Sequence, residues 1–421
     1  MSRKTTSEIT VQQFFAPNNI AKEFQRISDI LDEYSHLYTE IASMMKIPMT
    51  NIGRKGMSVE SAIRCAILKQ YWRFSYGVLA FHLSDYETFH GFARLSPSFD
   101  PARSTLQSNI SMLPAAAWEI INNAVIDTAA YLKLETGCQV RIDTTAVETN
   151  ILHPSDSQLL YSGICAVVRN LDKSGDPYSD HTRASKKLLL QVRNSRGDKQ
   201  RRNYYRKLIA YAKKTLGYAL AVSSANLNKL CLQLSQVISQ THRRVILGES
   251  VPASEKIVSL HEEHTDIIRK GGRDTIYGHK ITLATGKSGL VTTVDIYRGN
   301  PADSELLLSA INKLPTIPVQ IAADDGFASK SNLEKVKELG VRDVALHKRR
   351  GLKVEDMCRS SFIYKRLIKF RAGVEANISF LKRVFGLDRC TWKGWEGFQS
   401  YVMASVVTYN LTLLSRQIQT L

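Results

Sequence analysis

Four acidic residues, at three places in this sequence, are of a kind that can hold metal ions. Asp143 lies in the strand-like run QVRIDTTAVETNI, Asp324 and Asp325 end the apolar run in AADDGF, and Glu375 lies within KFRAGVEANISFLKR. Converging carboxylates repel one another and stay ionised only beside cations. Such hard oxygen ligands suit Mg²⁺ or Mn²⁺, and two such ions about 4 Å apart can drive an in-line phosphoryl displacement. The pattern therefore predicts a metal-dependent phosphoryl-transfer site.

Each acidic residue also has a purely structural interpretation. An isolated Asp before Thr or Gly commonly caps a strand end, and Asp143 and Asp324 both fit that role. Arg371 and Glu375 are spaced i, i+4 and share a helical stripe with Lys382, so a simple surface ion pair of about 0.3–0.5 kcal/mol is possible. The order of two strand-end Asp residues and one helix Glu around a hairpin favours a joint site.

A mixed α/β sheet is predicted to position these residues. We expect a first strand over 138–143, a hairpin of YGHKITLAT and LVTTVDIY, and strands in IPVQIAADDG and VRDVAL. Helices in DSELLLSAINKL and SNLEKVKEL separate the later strands, the second with Ser331 and Glu334 at capping-box spacing. Two long helices over about 360–385 and 397–419 close the chain. Strands linked by crossover helices predict a covered sheet with flanking helices.

Helical patterns fill the rest of the chain. Three- and four-residue apolar spacing predicts an all-α N-terminal domain over 1–135. Its stretch SYGVLAFHLSDYETFHGFARL, followed by DPARSTLQSNISML with Asp100 or Ser104 as a cap, fits a DNA-binding helix-turn-helix and equally a small helical bundle. The catalytic domain is predicted over 136–157 and 257–421, interrupted by a helical insertion over 158–256.

The charge balance favours a polyanionic partner. The 421 residues carry 57 Lys and Arg against 39 Asp and Glu, a formal charge of +18, which suits nucleic acid, although a merely basic protein shows the same balance. Six cysteines without CxxC pairs predict reduced thiols and neither disulfides nor a zinc site. Because the N-terminus lacks the apolar core of a signal peptide and no run reaches roughly 18 uncharged apolar residues, we expect a cytoplasmic protein.

Basic residues concentrate in the predicted insertion. Against the single acid Asp198, basic residues stand at 186, 187, 193, 196, 199, 201, 202, 206, 207, 213 and 214, with tyrosines at 204, 205 and 211. Cations neutralise phosphates, and tyrosines stack on splayed bases at roughly 1–3 kcal/mol per base. A solvated helical face is the alternative, but the density favours DNA. The candidate contacts are Lys199, Arg201, Arg202, Tyr204, Arg206 and Lys207.

Several short stretches together carry a family resemblance. They are IDTTAVETN, YGHKITLA, GNPADS, ADDGF, FRAGVEANISFLKR followed by FGLDRCTWKGWEGFQSY, and VVTYNL. With them the chain resembles bacterial insertion-sequence transposases of the DDE class. The resemblance implies an RNase H-like catalytic fold and a catalytic, metal-binding triad of Asp143, Asp324 and Glu375 that uses two Mg²⁺ or Mn²⁺ ions. Asp325 is the rival of Asp324 for the second position.

The resemblance also implies roles for basic residues. In the pattern of Arg, three residues, Glu, six residues, Lys, Arg371 and Lys382 are implied to contact transposon-end DNA. Relatives carry a Tyr three residues before this Arg, whereas this chain has Ile368 there and Tyr364 one turn earlier, so the role of that Tyr is not carried over. Some relatives use a tryptophan of the insertion to flip a base during hairpin formation. All four tryptophans of this chain lie outside the predicted insertion, and a DNA hairpin intermediate is therefore not supported.

The implied function is an insertion-sequence transposase. It would bind the terminal inverted repeats of its own element, cut DNA with the help of metal ions and join the freed 3′-hydroxyl to target DNA. The reaction would take place at the nucleoid, and the protein would act as a homodimer when two ends are paired. Two other functions stay open. A catalytically inactive, transposase-derived DNA-binding regulator would keep the basic surface without needing clustered acids, and an RNase H-like nuclease or resolvase would cut without joining ends.

Overall fold

The chain forms two compact units, each with its own core. The computed structural model describes residues 2–3, 18–45, 54–175, 177–222, 225–270, 274–348 and 351–420. Unit 1 comprises Met1–Thr149 and Gly278–Leu421, and unit 2 comprises Asn150–Tyr277. Most of the N-terminal stretch in which we expect no signal peptide lies outside the described ranges. No helix in those ranges combines the length and apolarity that a bilayer span needs.

Unit 1 is built on a mixed sheet, as the sequence predicts. The strands of the chain are β1 (Ser2–Arg3), β2 (Arg54–Lys55), β3 (Gln139–Glu148), β4 (Asp266–Lys270), β5 (Asp274–Thr285), β6 (Val291–Ile296), β7 (Gln320–Ala323) and β8 (Asp343–Ala345). The order across the main sheet is β6, β5, β3, β7, β8, and β4 also pairs with β5. β5 runs antiparallel to β3 and β6, whereas β3, β7 and β8 run parallel.

Helices flank this sheet and fill unit 2. Those of unit 1 are α1 (Asn19–Glu33), α2 (Leu37–Met44), α3 (Val59–Trp72), α4 (Tyr76–Asp85), α5 (Glu87–Phe92), α6 (Arg103–Ser111), α7 (Ala115–Tyr131), α12 (Asp303–Asn312), α13 (Lys330–Glu338), α14 (Val354–Met357), α15 (Ser361–Phe385) and α16 (Gly394–Ile418). Unit 2 contains α8 (Asp156–Ser174), α9 (Thr182–Asn194), α10 (Asp198–Leu220) and α11 (Ala225–Thr241), followed by a π-helical turn over His242–Leu247. The hairpin and both closing helices form where the sequence predicts them.

Some local predictions are wrong. α13 is capped by Ser329, whose hydroxyl accepts a hydrogen bond from the Asn332 amide at 3.0 Å, so Ser331 lies inside the first turn. α6 follows Ala102 and has no side-chain cap, so neither Asp100 nor Ser104 serves. The two-residue strands β1 and β2 pair in parallel within the stretch predicted to be all-α. The division into three domains stays a prediction.

A buried pair of asparagines ties the last helix to an edge of the sheet. α16 packs on α7 and α3 in the core of unit 1. Asn410 on α16 donates to Asn122 Oδ1 at 2.7 Å and to Val291 O at 2.8 Å, and it accepts from Val291 N at 2.9 Å. Asn122 on α7 in turn donates to Val291 O and Thr292 O, both at 3.3 Å. The asparagine in VVTYNL therefore satisfies backbone groups of β6.

We expect Asn122→Ala to lower the free energy of unfolding by about 1–3 kcal/mol, because it leaves buried polar partners unsatisfied. Asn123→Ala on the same helix removes an exposed amide and should change that free energy by less than about 0.5 kcal/mol. The measurement is urea denaturation followed by tryptophan fluorescence, since all four tryptophans lie in unit 1. Equal stability of the two variants would contradict the role assigned to the asparagine pair.

Candidate active site

The register of two parallel strands brings two of the predicted carboxylates together. Ile142 of β3 is paired with Ala323 of β7, so the next residue on each strand, Asp143 and Asp324, follows side by side at the strand spacing of about 4.8 Å. β7 ends at Ala323, and Asp324 precedes a short 3₁₀ turn over Asp325–Phe327. Asp143 is not at a strand end as predicted, because pairing with β5 continues to Glu148.

Arg371 of α15 joins the second and third predicted carboxylates. Its Nη1 lies 3.0 Å from Asp324 Oδ1, and its Nη2 lies 3.2 Å from Glu375 Oε1. The Arg371 side chain is only 20% exposed, against 49% for Asp324 and 66% for Glu375. The i, i+4 pair of the sequence is therefore part of a three-residue cluster that connects a helix with the end of a strand.

Asp143 belongs electrostatically to the same cluster. Burial, together with the negative charges of Asp324 and Glu375, raises the pKa of Asp143 to about 6 from an ordinary value of 3.8. A 2.7 Å hydrogen bond from the Thr144 amide and the positive charge of Arg371 oppose this rise. The three predicted carboxylates thus lie within mutual electrostatic range, and Arg371 is the cation among them.

A buried arginine fixes α15 against β3. Arg141 precedes Asp143 by two residues and so points to the same face of the strand. Its Nε donates to Thr285 Oγ1 and its Nη1 donates to Phe370 O of α15, both at 2.9 Å. Gly373 makes the approach possible, because a Cβ there would come within 2.2 Å of Arg141 Nη1. Arg141 therefore sets the height of α15, and with it the position of Glu375, relative to Asp143.

Three of the stretches that carry the resemblance contact one another beside this cluster. Lys280 of YGHKITLA donates to Pro301 O at 2.6 Å and to Asp303 Oδ1 at 2.9 Å, both within GNPADS. Gly326 of ADDGF leaves room for the Asp303 carboxylate, since a Cβ on Gly326 would lie 2.6 Å from Asp303 Oδ2. His279, next to Lys280, is buried with ring centroids 4.8 Å from those of Trp395 and Phe398.

Other predicted residues take up different contacts. The ammonium group of Lys382 donates a hydrogen bond to Ala146 O of β3 at 2.8 Å. Asp325 lies 3.9 Å from His347 Nδ1, on a contact that does not involve Arg371. Tyr364 is buried, and its hydroxyl donates to Leu346 O at 3.0 Å. The structure therefore brings Asp324 to the cluster, and it uses Lys382 and Tyr364 to attach α15 to the sheet.

The basic segment of unit 2 lies mainly on α10. Five of its predicted DNA contacts have exposed side chains, namely Lys199, Arg201, Arg202, Arg206 and Lys207, while Tyr204 is half-buried. Tyr205 is buried in the core of unit 2, so stacking of a base on that ring is excluded in this conformation. The Tyr211 ring lies 4.8 Å from the ring of His181. The basic face is thus accessible, but its tyrosines serve mostly to pack the helix.

The donor set of the cluster fits a hard divalent cation. The ionisation of Asp143 is opposed by its two neighbouring carboxylates and is favoured by positive charge nearby, and carboxylate oxygen is the ligand type that Mg²⁺ and Mn²⁺ prefer. Among the described residues, no group of three or more Asp, Glu, His or Cys side chains is already close enough to hold an ion. Arg371 provides the counter-charge in this arrangement.

An acidic cluster on two neighbouring strands and a helix, in a chain with a surplus of basic residues, is suited to metal-dependent phosphoryl transfer on a polyanion. Residues 253–411 match the model of the transposase DDE domain family. The match identifies this part of the chain as a transposase DDE domain, and the resemblance to the DDE transposases is thereby confirmed. It includes Asp324, Arg371 and Glu375 but not Asp143. No curated protein and no solved structure matches the chain.

Sequence reasoning missed Arg141 and Gly373. The signal for Arg141 is a lone cation within the apolar part of a strand, two residues before a candidate ligand and therefore on its face. The signal for Gly373 is a glycine inside a long helical pattern, where it costs about 1 kcal/mol relative to Ala unless close packing requires it. Neither signal indicates that Arg141 and Gly373 contact each other, because the two residues are 232 positions apart in the sequence.

Arg371→Gln is expected to raise the pKa of Asp143 above about 6, because it removes the cation that opposes burial and the two neighbouring negative charges. Since folding already raises this pKa, protonation of Asp143 stabilises the folded state below pH 3.8, and that contribution is lost as the pH rises through about 6. A carboxyl ¹³C NMR titration of metal-free protein measures the shift. The control is Lys369→Gln, which removes an exposed cation on the same helix. An unchanged or lower pKa of Asp143 in Arg371→Gln would refute the electrostatic coupling of Asp143 to Arg371.

Gly373→Ala should lower the free energy of unfolding, whereas Gly→Ala at an open helix position raises it by about 1 kcal/mol. The added methyl must displace a guanidinium that two hydrogen bonds hold. Gly77→Ala on α4 is the matched variant, because no heavy atom lies closer than 4.0 Å to its Cβ position. Urea denaturation with tryptophan fluorescence compares them, and a gain in stability for Gly373→Ala would argue against the packing of Arg141 on α15.

Proposed function

We propose that this protein is an insertion-sequence transposase that binds terminal inverted repeats, cleaves DNA and joins the freed 3′-hydroxyl to target DNA. The observation that carries the proposal is the cluster of Asp143, Asp324 and Glu375 around Arg371 within a chain that includes a transposase DDE domain. Its reaction takes place in the cytoplasm, at the nucleoid. Synapsis of two ends requires at least a homodimer during the reaction.

The three carboxylates are the proposed ligands of two Mg²⁺ or Mn²⁺ ions. When bound, such ions lower the pKa of the attacking water and stabilise the leaving oxygen. Asp143 must be ionised to serve, and a pKa near 6 leaves it mostly ionised at neutral pH. Arg141 fixes α15, which carries Glu375, against β3, which carries Asp143.

Arg371 has two successive roles in this proposal. Without metal its guanidinium neutralises Asp324 and Glu375. With cations held by the carboxylates, the guanidinium would be available for a phosphate of the transposon end, for which its planar fork is well suited. Lys382, whose ammonium donates to Ala146 O, is the second cation that we propose to contact a phosphate of the transposon end.

The order and direction of the strands support the same function. A central strand that is antiparallel to a hairpin on one side and parallel to two short strands on the other is the arrangement of an RNase H-like sheet. We propose that residues 158–256 form a helical insertion into the domain of that sheet and that the basic face of α10 binds DNA phosphates, through Lys199, Arg201, Arg202, Arg206 and Lys207 with Tyr204 beside them. The helices before β3 form the proposed N-terminal DNA-binding part.

The inactive regulator and the nuclease without strand transfer are less well supported. A pure DNA binder gains nothing from three converging carboxylates, because they repel the phosphate backbone. The nuclease shares the same site, and only the products of the reaction separate it from a transposase.

Asp143→Asn, Asp324→Asn and Glu375→Gln should each reduce cleavage by more than about 100-fold, at least the cost of losing a group that supports a metal ligand, while DNA binding stays within a few-fold. The assay uses a labelled duplex with the presumed terminal repeat and a target plasmid, with Mg²⁺, Mn²⁺ or chelator. Asp325→Asn is the matched control and should retain activity. Joined products establish a transposase, cleavage without joining establishes a nuclease, and full activity of Glu375→Gln would remove this residue from the site.

A further inference from the structure

A small polar cavity lies entirely within unit 2. Its volume is about 170 Å³, and it is lined by the start of α8, the end of α11, the π-helical turn, the segment 256–258, β4 and the first residues of β5. Its charged lining residues are Asp156, Arg244, Lys256 and Arg269. None of the predicted DNA contacts on α10 lines it. This cavity is therefore a separate feature from the basic face of that helix.

The cavity carries more positive charge than its own acid can neutralise. Arg244 Nη1 donates to both carboxylate oxygens of buried Asp156 at 3.0 Å. Lys256 and Arg269 make no ion pair with any residue in the part of the chain that the structure describes. Burial, together with the charges of Arg244 and Arg269, lowers the pKa of Lys256. Three cations thus face one carboxylate, and among the described residues two of them, Lys256 and Arg269, lack an anionic partner.

Two buried side chains help to position two of these cations, Arg244 and Lys256. Asp156 orients the guanidinium of Arg244. Gln240 is buried and forms two hydrogen bonds with the backbone of Ile257, donating to its oxygen at 3.1 Å and accepting from its nitrogen at 2.9 Å. These bonds fix the chain next to Lys256. The neighbouring residue Arg243 shows the contrast, because Glu249 and Glu255 both neutralise it, at 3.0 and 2.7 Å.

We propose that this cavity binds one phosphate group of a DNA backbone, held by Arg244, Lys256 and Arg269. A guanidinium fork with an ammonium supplies charge-assisted donors for phosphate oxygens. The volume suits a single oxyanion, because sites for whole small-molecule ligands usually exceed about 300 Å³. The choice of DNA as the source of the phosphate rests on the proposed function. The cavity would add a contact in unit 2 that is independent of base sequence.

The test compares two double variants in the full chain. Lys256→Gln with Arg269→Gln removes two cavity cations, and Lys173→Gln with Arg183→Gln removes one Lys and one Arg that are exposed elsewhere in unit 2. We measure the dissociation constant for a terminal-repeat duplex and for an unrelated duplex over a range of salt concentrations. The cavity variant should bind both duplexes about tenfold more weakly, with a slope of log K against log salt reduced by about 1 relative to the control. Equal affinities and slopes in the two variants would overturn the proposal.

A second arm uses inorganic phosphate, followed by NMR shifts of the Gln240 side-chain amide. We expect the wild-type protein to bind phosphate at least about tenfold more tightly than the cavity variant, the loss that corresponds to about one charge-assisted hydrogen bond. A wild-type protein that binds phosphate in the cavity but binds neither duplex would refute the proposed function and assign the cavity to a free oxyanion. If the wild-type protein binds duplex but its cavity does not bind phosphate, the cavity proposal is overturned and the proposed function is not.

Discussion

Parallel pairing of β3 with β7 is the constraint on which the acidic cluster depends. The register that pairs Ile142 with Ala323 makes Asp143 and Asp324 neighbours, and a shift by one residue would turn one of the two carboxylates to the opposite face. β7 stops at that point while β3 continues, so Asp143 lies within a central strand and Asp324 follows the end of its strand.

Two arginines make this arrangement possible in different ways. Arg141 is almost fully buried, and its hydrogen bonds to Thr285 and Phe370 satisfy a charge that would be costly to leave without partners. Arg371 lies at the edge and offsets the repulsion between Asp324 and Glu375. The first arginine is structural and fixes the distance from helix to strand. The second is exchangeable, because another cation can replace its charge.

Unit 2 explains much of the basic character of the chain. α10 presents exposed Lys and Arg residues on one side and packs Tyr205 and Leu208 into the core on the other, as expected for an amphipathic helix. The cavity beside α8 gathers cations from three separate segments of the chain. A surface of distributed charges and a small enclosed pocket can contribute to affinity for the same polyanion, the first through long-range attraction and the second through fixed contacts.

The sequence by itself determined the mixed sheet, the hairpin, the closing helices and the identity of the acidic positions, since apolar periodicity and turn residues are local properties. It also pointed to the DDE transposases through VVTYNL and the other short stretches, which the family match bears out. Only the tertiary structure decided that Asp143 lies within a strand, that Arg371 bridges two carboxylates, that Tyr205 is buried, and that Arg141 needs Gly373. The tertiary structure alone also brings Lys256 and Arg269 close to Arg244. These are contacts between residues far apart in sequence, and they depend on strand register and helix packing, which no local pattern encodes.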